Sequence, residues 1–214
     1  MHPQEGLLLP DLFIPLAEPT RRIEIVTEWV IEQALRQCQN WRATGLDVPV
    51  SVNLSPETLH NLSFPDQIEA SLEKWGVPPD RLMLEITESA IISEVVRASQ
   101  TVNRLHNMGL MVWIDDFGTG YTSLSYIRRL PISGIKVDKS FIAQMAQFND
   151  DAAIVRSIVD LGCNLGLRVV AERIEDRETL DLLAELGCSE AQGFYIGRPL
   201  GAPDITNWAR ARTS

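Results

Sequence analysis

Six short apolar runs recur along this chain, and most of them are separated by stretches with helical spacing. The runs are PVSVN, LMLEIT, GLMVWIDD, GIKVD, LRVVAE and AQGFYI. Strands that alternate with helices predict a parallel sheet with crossover connections. An open doubly wound sheet and a (β/α)8 barrel both fit this pattern, but the barrel gathers all its strand ends on one face. We therefore predict an α/β fold of the TIM-barrel type, with the doubly wound sheet as the alternative.

The predicted elements cover most of the chain. Strands are expected at 48–53, 81–87, 110–115, 134–138, 167–172 and 190–196. Helices are expected at about 21–41, 65–75, 92–107, 150–165, 177–186 and 203–212, the first with Thr20 as its N-cap. A closed barrel of this type needs eight strands, and it usually needs about 250 residues. We therefore expect residues 1–214 to form a single domain from which the first elements of the barrel are missing.

Polar side chains stand at the end of each apolar run. They are Asn53, Glu85, Asp115 with Asp116, Lys136, Glu172 and Gln192. Because the carboxyl ends of parallel strands converge on one face of a barrel, we expect these side chains to form one active site. Nearly all of the donors are oxygen atoms, which favours a hard divalent cation such as Mg²⁺ or Mn²⁺.

Composition excludes several classes of protein. The formal net charge of −10 argues against binding of a nucleic-acid polymer, which needs a basic surface. A small anionic substrate remains compatible, since bound metal ions overcompensate the carboxylates locally.

Cys38, Cys163 and Cys188 lack metal-ligand spacing and are expected to be reduced. No apolar run reaches the roughly 18 residues of a membrane span, and no signal peptide is recognisable. We expect a cytoplasmic chain.

Seven motifs occur in an order and spacing that identify a family resemblance. They are FIPLAE at 13–18, SVNLS at 51–55, LEITES at 84–89, DDFGTGYTSL at 115–124, IKVDKSF at 135–141, VVAERIE at 169–175 and QGFYIGRPL at 192–200. Together they resemble the EAL domain family, bacterial phosphodiesterases that act on cyclic di-GMP. The resemblance implies a modified TIM barrel with one antiparallel strand near its start. It also implies two-metal hydrolysis of cyclic di-GMP to linear pGpG, with Mg²⁺ or Mn²⁺ as the metal.

The resemblance also implies a role for each polar side chain. The first metal would be held by Asn53, Glu85 and Asp115, and the second by Asp115, Asp116 and Glu172. The catalytic groups would be Lys136, which positions the attacking water, together with Glu172, Glu175 and Gln192. The substrate would contact Asp116 and Lys136. We also expect Arg173, which departs from the family pattern, either to reach a substrate phosphate or to perturb the metal pocket. Glu88 would tether the loop 117–123, which in the family couples the metal site to dimer contacts, so that a homodimer or a fused or partner signalling domain is expected.

Two departures from the family pattern bear on activity. The family is named after a Glu-Ala-Leu motif that is followed by an Arg and then by His-Pro, whereas this chain starts at Met1 and continues with His2 and Pro3. The metal-binding Glu and the substrate-contacting Arg of that motif are therefore expected to be absent. Arg173 stands where the family has Gly in AEGVE. Three interpretations stay open: an active phosphodiesterase, an inactive module that binds cyclic di-GMP or a protein, and a truncated reading of a longer polypeptide.

Each of these residues also has a purely structural interpretation. Asp115 and Asp116 precede a glycine and suit a turn. Lys136 could be a buried ion-pair partner, and Asn53 could cap the end of a strand. Gln192 could form hydrogen bonds with backbone groups. Glu172 and Glu175 suit the solvated start of a helix.

Overall fold

The computed structural model describes residues 6, 8–18, 22–120, 124–143, 145 and 149–213. Six parallel strands form one sheet in the order β1-β2-β3-β4-β5-β6. The strands are β1 (Val50–Leu54), β2 (Leu82–Thr87), β3 (Met111–Phe117), β4 (Gly134–Val137), β5 (Arg168–Ala171) and β6 (Glu190–Ala191). The helices are α1 (Pro10–Ala17), α2 (Ile23–Ala43), α3 (Pro56–His60), α4 (Phe64–Trp75), α5 (Glu88–Ser93), α6 (Val95–Asn107), α7 (Leu124–Ile127), α8 (Lys139–Ile142), α9 (Asn149–Asn164), α10 (Arg177–Glu185) and α11 (Ala202–Thr213).

The strand order confirms the predicted fold class. Each strand pairs in parallel with the next one along the chain. A doubly wound sheet reverses its strand order at a switch point, and the sequential order excludes that alternative. The arrangement is the one that a (β/α)8 barrel uses.

Several predicted elements differ in their bounds. The helix expected at 92–107 is two helices, because Glu94 leaves helical geometry with φ −143° and ψ 70°. The last strand, expected at 190–196, ends at Ala191 because the chain turns there: the backbone N–H groups of Ile196 and Gly197 both donate to the Gly193 carbonyl. Helix α2 begins at Ile23, and the predicted cap Thr20 lies outside the described residues. The short helices α1, α3, α7 and α8 were not predicted.

One face of the sheet packs against the helices. Every second residue of a strand points to the same face, and on this face the buried side chains are Val52, Leu54, Leu84, Ile86, Val112, Ile114, Ile135, Val137, Val169 and Ala171. They form a single core with helical residues such as Leu35, Ile68 and Leu105. Burying one such side chain contributes about 1.5–3 kcal/mol. The alternate residues of each strand point to the opposite face, where polar groups collect.

The sequence pattern of the helices explains which side of each helix is buried and where the helix ends. In α2 the buried residues Ile23, Thr27, Ile31, Leu35 and Cys38 recur every three or four positions, which turns one stripe of the helix to the core. Helix α4 ends at Gly76, whose φ of 60° is the left-handed conformation typical of a helix C-terminus.

The three cysteines do not form disulfides with one another. Cys38, Cys163 and Cys188 are free thiols, with Cys38 buried and Cys163 exposed. Across the part of the chain that the structure describes, no helix is both long and apolar enough to cross a membrane.

Candidate functional site

Strand register brings the predicted polar residues to one face of the sheet. Asn53 lies opposite Glu85 across β1 and β2, and Glu85 lies opposite Trp113 on β3. Trp113 lies opposite Gly134, and Lys136 lies opposite Val170. Because side chains alternate along a strand, residues two positions further on share this face. Asp115 and Glu172 are reached in this way from Trp113 and Val170, and Gln192 is reached from Glu190, which lies opposite Val170.

Lys136 is the centre of a buried ion cluster. Its Nζ lies 2.6 Å from Oε1 of Glu172, 2.9 Å from Oε2 of Glu85 and 3.2 Å from Oδ1 of Asp115. Burial by itself lowers the pKa of the Lys136 ammonium, but the ion pairs with Glu172, Glu85 and Asp115 outweigh burial and raise that pKa well above its usual range. Lys136 is therefore a permanent cation at neutral pH.

Asp115 and Asp116 are consecutive, yet both carboxylates reach the same cluster. The register between β3 and β4 shifts after Ile114, and Asp116 adopts a left-handed conformation with φ 52°. The Asp116 backbone N–H then donates to Oδ1 of Asp115 at 3.0 Å. An ordinary strand would direct the two side chains to opposite faces. The bulge and the positive φ bring them together instead.

Three carboxylates are placed as a cation site requires. One carboxylate oxygen each from Asp115, Asp116 and Glu172 lies within 4.8 Å of the other two. Burial and the Asp115 charge raise the pKa of Asp116, and burial raises the pKa of Glu172 although Lys136 opposes part of that rise. Hard oxygen donors at this spacing fit a divalent cation such as Mg²⁺ or Mn²⁺. A cation there would offset the repulsion between the carboxylates.

An aromatic ring lies beneath the ion cluster on the same face. Trp113 is buried, and its ring occupies the space above Gly134: a Cβ on Gly134 would lie 2.4 Å from the ring. The guanidinium of Arg168 covers Trp113 with 4.7 Å to the ring centre. The Nε1 of this ring is buried and has no hydrogen-bond partner in the described structure.

Glu88 holds the loop that follows β3. Its Oε2 accepts the backbone N–H of Gly118 at 3.2 Å and that of Gly120 at 3.3 Å. Gly118 has φ 103°, and a Cβ on Gly120 would lie 2.8 Å from Cδ of Glu88. Both glycines are thus needed for the loop to approach the carboxylate. Of the predicted tethered loop 117–123, residues 121–123 lie outside the described part.

Sequence reasoning missed Asp138. It lies two residues after Lys136, its side chain is buried, and its carboxyl is within hydrogen-bonding reach of Asp116. Although burial opposes it, the hydrogen bonds from Ser140 hold the pKa of Asp138 below its usual range. The signal was the end of the run GIKVD, where strand alternation turns Asp138 to the face of Lys136.

The remaining predicted residues lie at the rim. Asn53, on the edge strand β1, is exposed, and so are Glu175 and Gln192. Gln192 uses its backbone, donating from N to the Ala171 carbonyl at 2.8 Å and accepting from N of Ile174 at 3.0 Å. In the described structure none of the three side chains is an ion-pair or hydrogen-bond partner of Lys136.

Arg173 has a backbone conformation that suits glycine. Its φ is 54°, and its Nε lies 3.1 Å from Oε1 of Glu175, with both side chains more than half exposed. A non-glycine residue in this conformation costs about 1–2 kcal/mol, whereas an exposed ion pair returns about 0–1 kcal/mol. Arg173 therefore does not stabilise the fold, and the positive φ accounts for the glycine of the family at this position.

Comparison with known proteins identifies the family. The family model described as EAL domain matches residues 1–199. The chain is 42% identical over 205 residues to the bifunctional diguanylate cyclase/cyclic di-GMP phosphodiesterase MucR of Pseudomonas aeruginosa, covering 95% of this chain and 30% of that protein. It is 37% identical over 211 residues to the cyclic di-GMP phosphodiesterase NbdA of the same species, covering 98% and 27%. The chain thus spans less than a third of the length of these relatives.

Solved structures agree with the sequence match. The PaMucR phosphodiesterase in complex with c-di-GMP has a TM-score of 0.91 at 41% identity, covering 95% of this chain and 83% of that chain. The EAL domain of Mycobacterium smegmatis DcpA has a TM-score of 0.81 at 34% identity, covering 86% and 83%. The sequence motifs, the fold and these relatives lead to one conclusion: this chain belongs to the EAL domain family.

Proposed function

We propose that this chain is the phosphodiesterase domain of a signalling protein and hydrolyses cyclic di-GMP to linear pGpG with Mg²⁺ or Mn²⁺. The observation that carries the proposal is the carboxylate cluster of Asp115, Asp116 and Glu172 beside the buried cation Lys136. The relatives MucR and NbdA are named as cyclic di-GMP phosphodiesterases, which supports the same reaction, and the c-di-GMP complex of PaMucR supports the ligand.

The proposed ligand assignments are those that the family resemblance implies. Asn53, Glu85 and Asp115 would hold one metal ion, and Asp115, Asp116 and Glu172 would hold the other. A pair of divalent ions supplies an activated water and compensates charge on the phosphate and leaving oxygens. Glu85 and Asp115 are already oriented by Lys136, which is the kind of support that fixes metal ligands in other proteins.

Lys136 and Glu172 divide the remaining chemistry between them. Lys136 stays protonated, so it cannot act as a base; its ammonium orients the attacking water and stabilises negative charge that develops on the phosphate. Burial raises the pKa of Glu172 in the metal-free site, and a carboxylate within reach of the bound water is one of the groups that can accept its proton. As the water oxygen bonds to phosphorus and the bond to the 3′ oxygen breaks, Glu172 would accept one proton of the water and pass it to the departing 3′ oxygen, which leaves as a hydroxyl. Glu175 and Gln192 would complete the rim around the substrate, beside Asp116 and Arg173.

The domain does not have to act alone. We propose that residues 1–214 form one domain that acts within a longer signalling polypeptide or as a homodimer. The small share of MucR and NbdA that this chain spans supports the longer polypeptide. A cytoplasmic location stays a prediction.

Hydrolysis of cyclic di-GMP by the polypeptide that carries this chain tests the proposal. Chromatography would follow pGpG in Mn²⁺ for the wild type, for Glu172→Gln and for a matched Glu178→Gln variant, in which an exposed carboxylate of α10 is neutralised. We expect turnover in the wild type, no change in Glu178→Gln, and a loss of at least about 100-fold in Glu172→Gln, since even indirect perturbation of metal ligands costs about 10–100-fold. Binding of cyclic di-GMP without turnover by the wild type would favour the receptor interpretation and contradict the enzyme.

A further inference from the structure

The backbone around Arg173 is fixed from both sides. The next residue, Ile174, donates from N to the Gln192 carbonyl at 3.0 Å and accepts from N of Tyr195 at 3.0 Å. A Cβ on Gly193 would lie 2.2 Å from both N and O of Ile174, so that the two segments touch through their main chains. The segment before it ends in Glu172, whose Oε1 is held by Lys136. Arg173 therefore keeps its positive φ because its neighbours impose it.

The guanidinium of Arg173 is oriented and open at one end. Glu175 accepts from Nε at 3.1 Å, and this is the hydrogen bond that the described structure gives to the Arg173 side chain. For the two Nη groups the described structure gives no hydrogen bond, and the side chain is 57% exposed. A guanidinium fork with both Nη groups available matches the geometry of phosphate oxygens. Glu175 acts here as the residue that orients the fork.

The cations around the site differ in what they can bind. Lys136 is buried and already contacts three carboxylates. Arg198 lies over the ring of Phe194, 5.1 Å from its centre. Lys139 is exposed at the start of α8 and carries a strongly hydrated point charge without a fork. Of these four residues, Arg173 is the one that carries an exposed, planar guanidinium and also follows Glu172 directly in the chain.

We propose that Arg173 binds the phosphate of a cyclic dinucleotide that is not being cleaved, and that it thereby selects ligands with two phosphodiester groups over ligands with one. The inference rests on the proposed function. One phosphate lies over the carboxylate cluster, and the second phosphate of the ring needs a cation away from that cluster. An arginine that costs backbone stability and gains only an exposed ion pair is the kind of strained residue that serves a ligand.

Arg173→Gln tests this inference, because glutamine keeps the strained backbone and removes only the charged fork. We expect the Kd for a slowly hydrolysed phosphorothioate analogue of cyclic di-GMP to rise about 10- to 100-fold, as for loss of a charged hydrogen-bonding pair. The KM for cyclic di-GMP should rise by a similar factor with kcat unchanged. With bis(p-nitrophenyl) phosphate, which has one phosphodiester, kcat/KM should stay within about twofold because Arg173 has no second phosphate to bind.

Two further variants serve as controls. Arg177→Gln removes another exposed arginine–carboxylate pair, Arg177 with Asp181, and should change none of these quantities. Lys139→Gln removes the competing exposed cation and should also leave the Kd unchanged. An unchanged Kd in Arg173→Gln, an equal loss on bis(p-nitrophenyl) phosphate, or a loss found in Lys139→Gln instead would each overturn the inference. A wild type that cleaves neither substrate would refute the proposed function, and the Kd ratio would still decide the role of Arg173.

Discussion

Nζ of Lys136 lies 2.6 Å from Oε1 of Glu172 and ties the middle of β4 to the residue that follows β5. Through its other contacts the same ammonium reaches Glu85 on β2 and Asp115 on β3. One buried cation thus joins four consecutive strand ends of the sheet. The carboxylates of Glu85, Asp115 and Glu172 are each held by it.

Replacing Lys136 by Met should destabilise the metal-free protein by about 3–5 kcal/mol, because three carboxylates would lose their shared buried cation. The free energy of unfolding in urea measures the change. Saturating Mn²⁺ should recover part of the loss, since a divalent cation restores positive charge to the same carboxylates. In the control Arg177→Met, which breaks an exposed pair, the loss should stay within about 1 kcal/mol. Equal losses in the two variants would contradict the central role of Lys136.

Gly120→Ala should displace Glu88 from the loop that follows β3. The new Cβ would lie 2.8 Å from Cδ of Glu88, and overpacking of this kind costs about 1–3 kcal/mol. We expect a lower melting temperature and faster hydrogen exchange at Gly118 N–H, which Glu88 accepts. Gly201→Ala is the matched control, since its Cβ would meet its nearest neighbours at an ordinary 3.8 Å. Unchanged exchange at Gly118 in Gly120→Ala would show that Glu88 does not hold the loop.

Arg173→Gly should stabilise the fold by about 1 kcal/mol, because glycine adopts φ 54° without strain and only an exposed ion pair is lost. Chemical denaturation of the two proteins side by side measures this difference. Arg173→Ala retains the strained φ and loses the same ion pair, so it should not be more stable than the wild type. Destabilisation by the glycine variant would mean that the ion pair with Glu175 contributes more than the strain costs.

Glu32 should make stability depend on pH in the acid range. The hydrogen bond from Lys74 holds the pKa of Glu32 below its ordinary value of 4.5, against the effect of burial and with help from Trp75 and Ser71. A depressed carboxyl pKa contributes stability that is fully present above pH 4.5 and is lost as the pH falls through the folded-state pKa. The stability difference between wild type and Glu32→Gln should therefore shrink on acidification.

The exposed Glu28 lies one turn earlier on the same helix and provides the control for this titration. Glu28→Gln removes an exposed carboxylate of the same helix and should change the free energy of unfolding by no more than about 0.5 kcal/mol. If the stability difference between wild type and Glu32→Gln grew on acidification, the pKa of Glu32 would be raised in the folded protein. That result would contradict a pKa lowered by the hydrogen bond from Lys74.

Strand alternation was enough to predict the centre of the site. Glu85, Asp115, Lys136 and Glu172 all lie at apolar strand ends, and a period of two residues sends them to the same face of a parallel sheet. The six strands were predicted from apolar runs separated by helical stretches, and the observed sequential order is the one expected of a barrel. Local pattern suffices here because the core face of each strand is continuous and apolar.

Other features depend on contacts that no local pattern contains. The positive φ of Asp116 arises from the register shift between β3 and β4, and that of Arg173 from the main-chain contacts of Ile174 with the segment after β6. The run AQGFYI suggested a long last strand, yet the close approach of Gly193 to Ile174 turns the chain after Ala191. Asp138 was overlooked because only Lys136 was taken as a site residue from the run GIKVD, which ends in Asp138.

Binding of Mn²⁺ to the folded protein, followed by the loss of its free paramagnetic resonance signal, tests most directly whether the strand-end carboxylates hold a divalent cation. The wild type should bind Mn²⁺, and Asp115→Asn should weaken that binding by at least about 100-fold, since Asp115 is proposed to contact both ions and indirect changes alone cost about 10–100-fold. The control Asp160→Asn, an exposed carboxylate on α9, should bind as the wild type does. Mn²⁺ binding that is unchanged in Asp115→Asn would contradict the account.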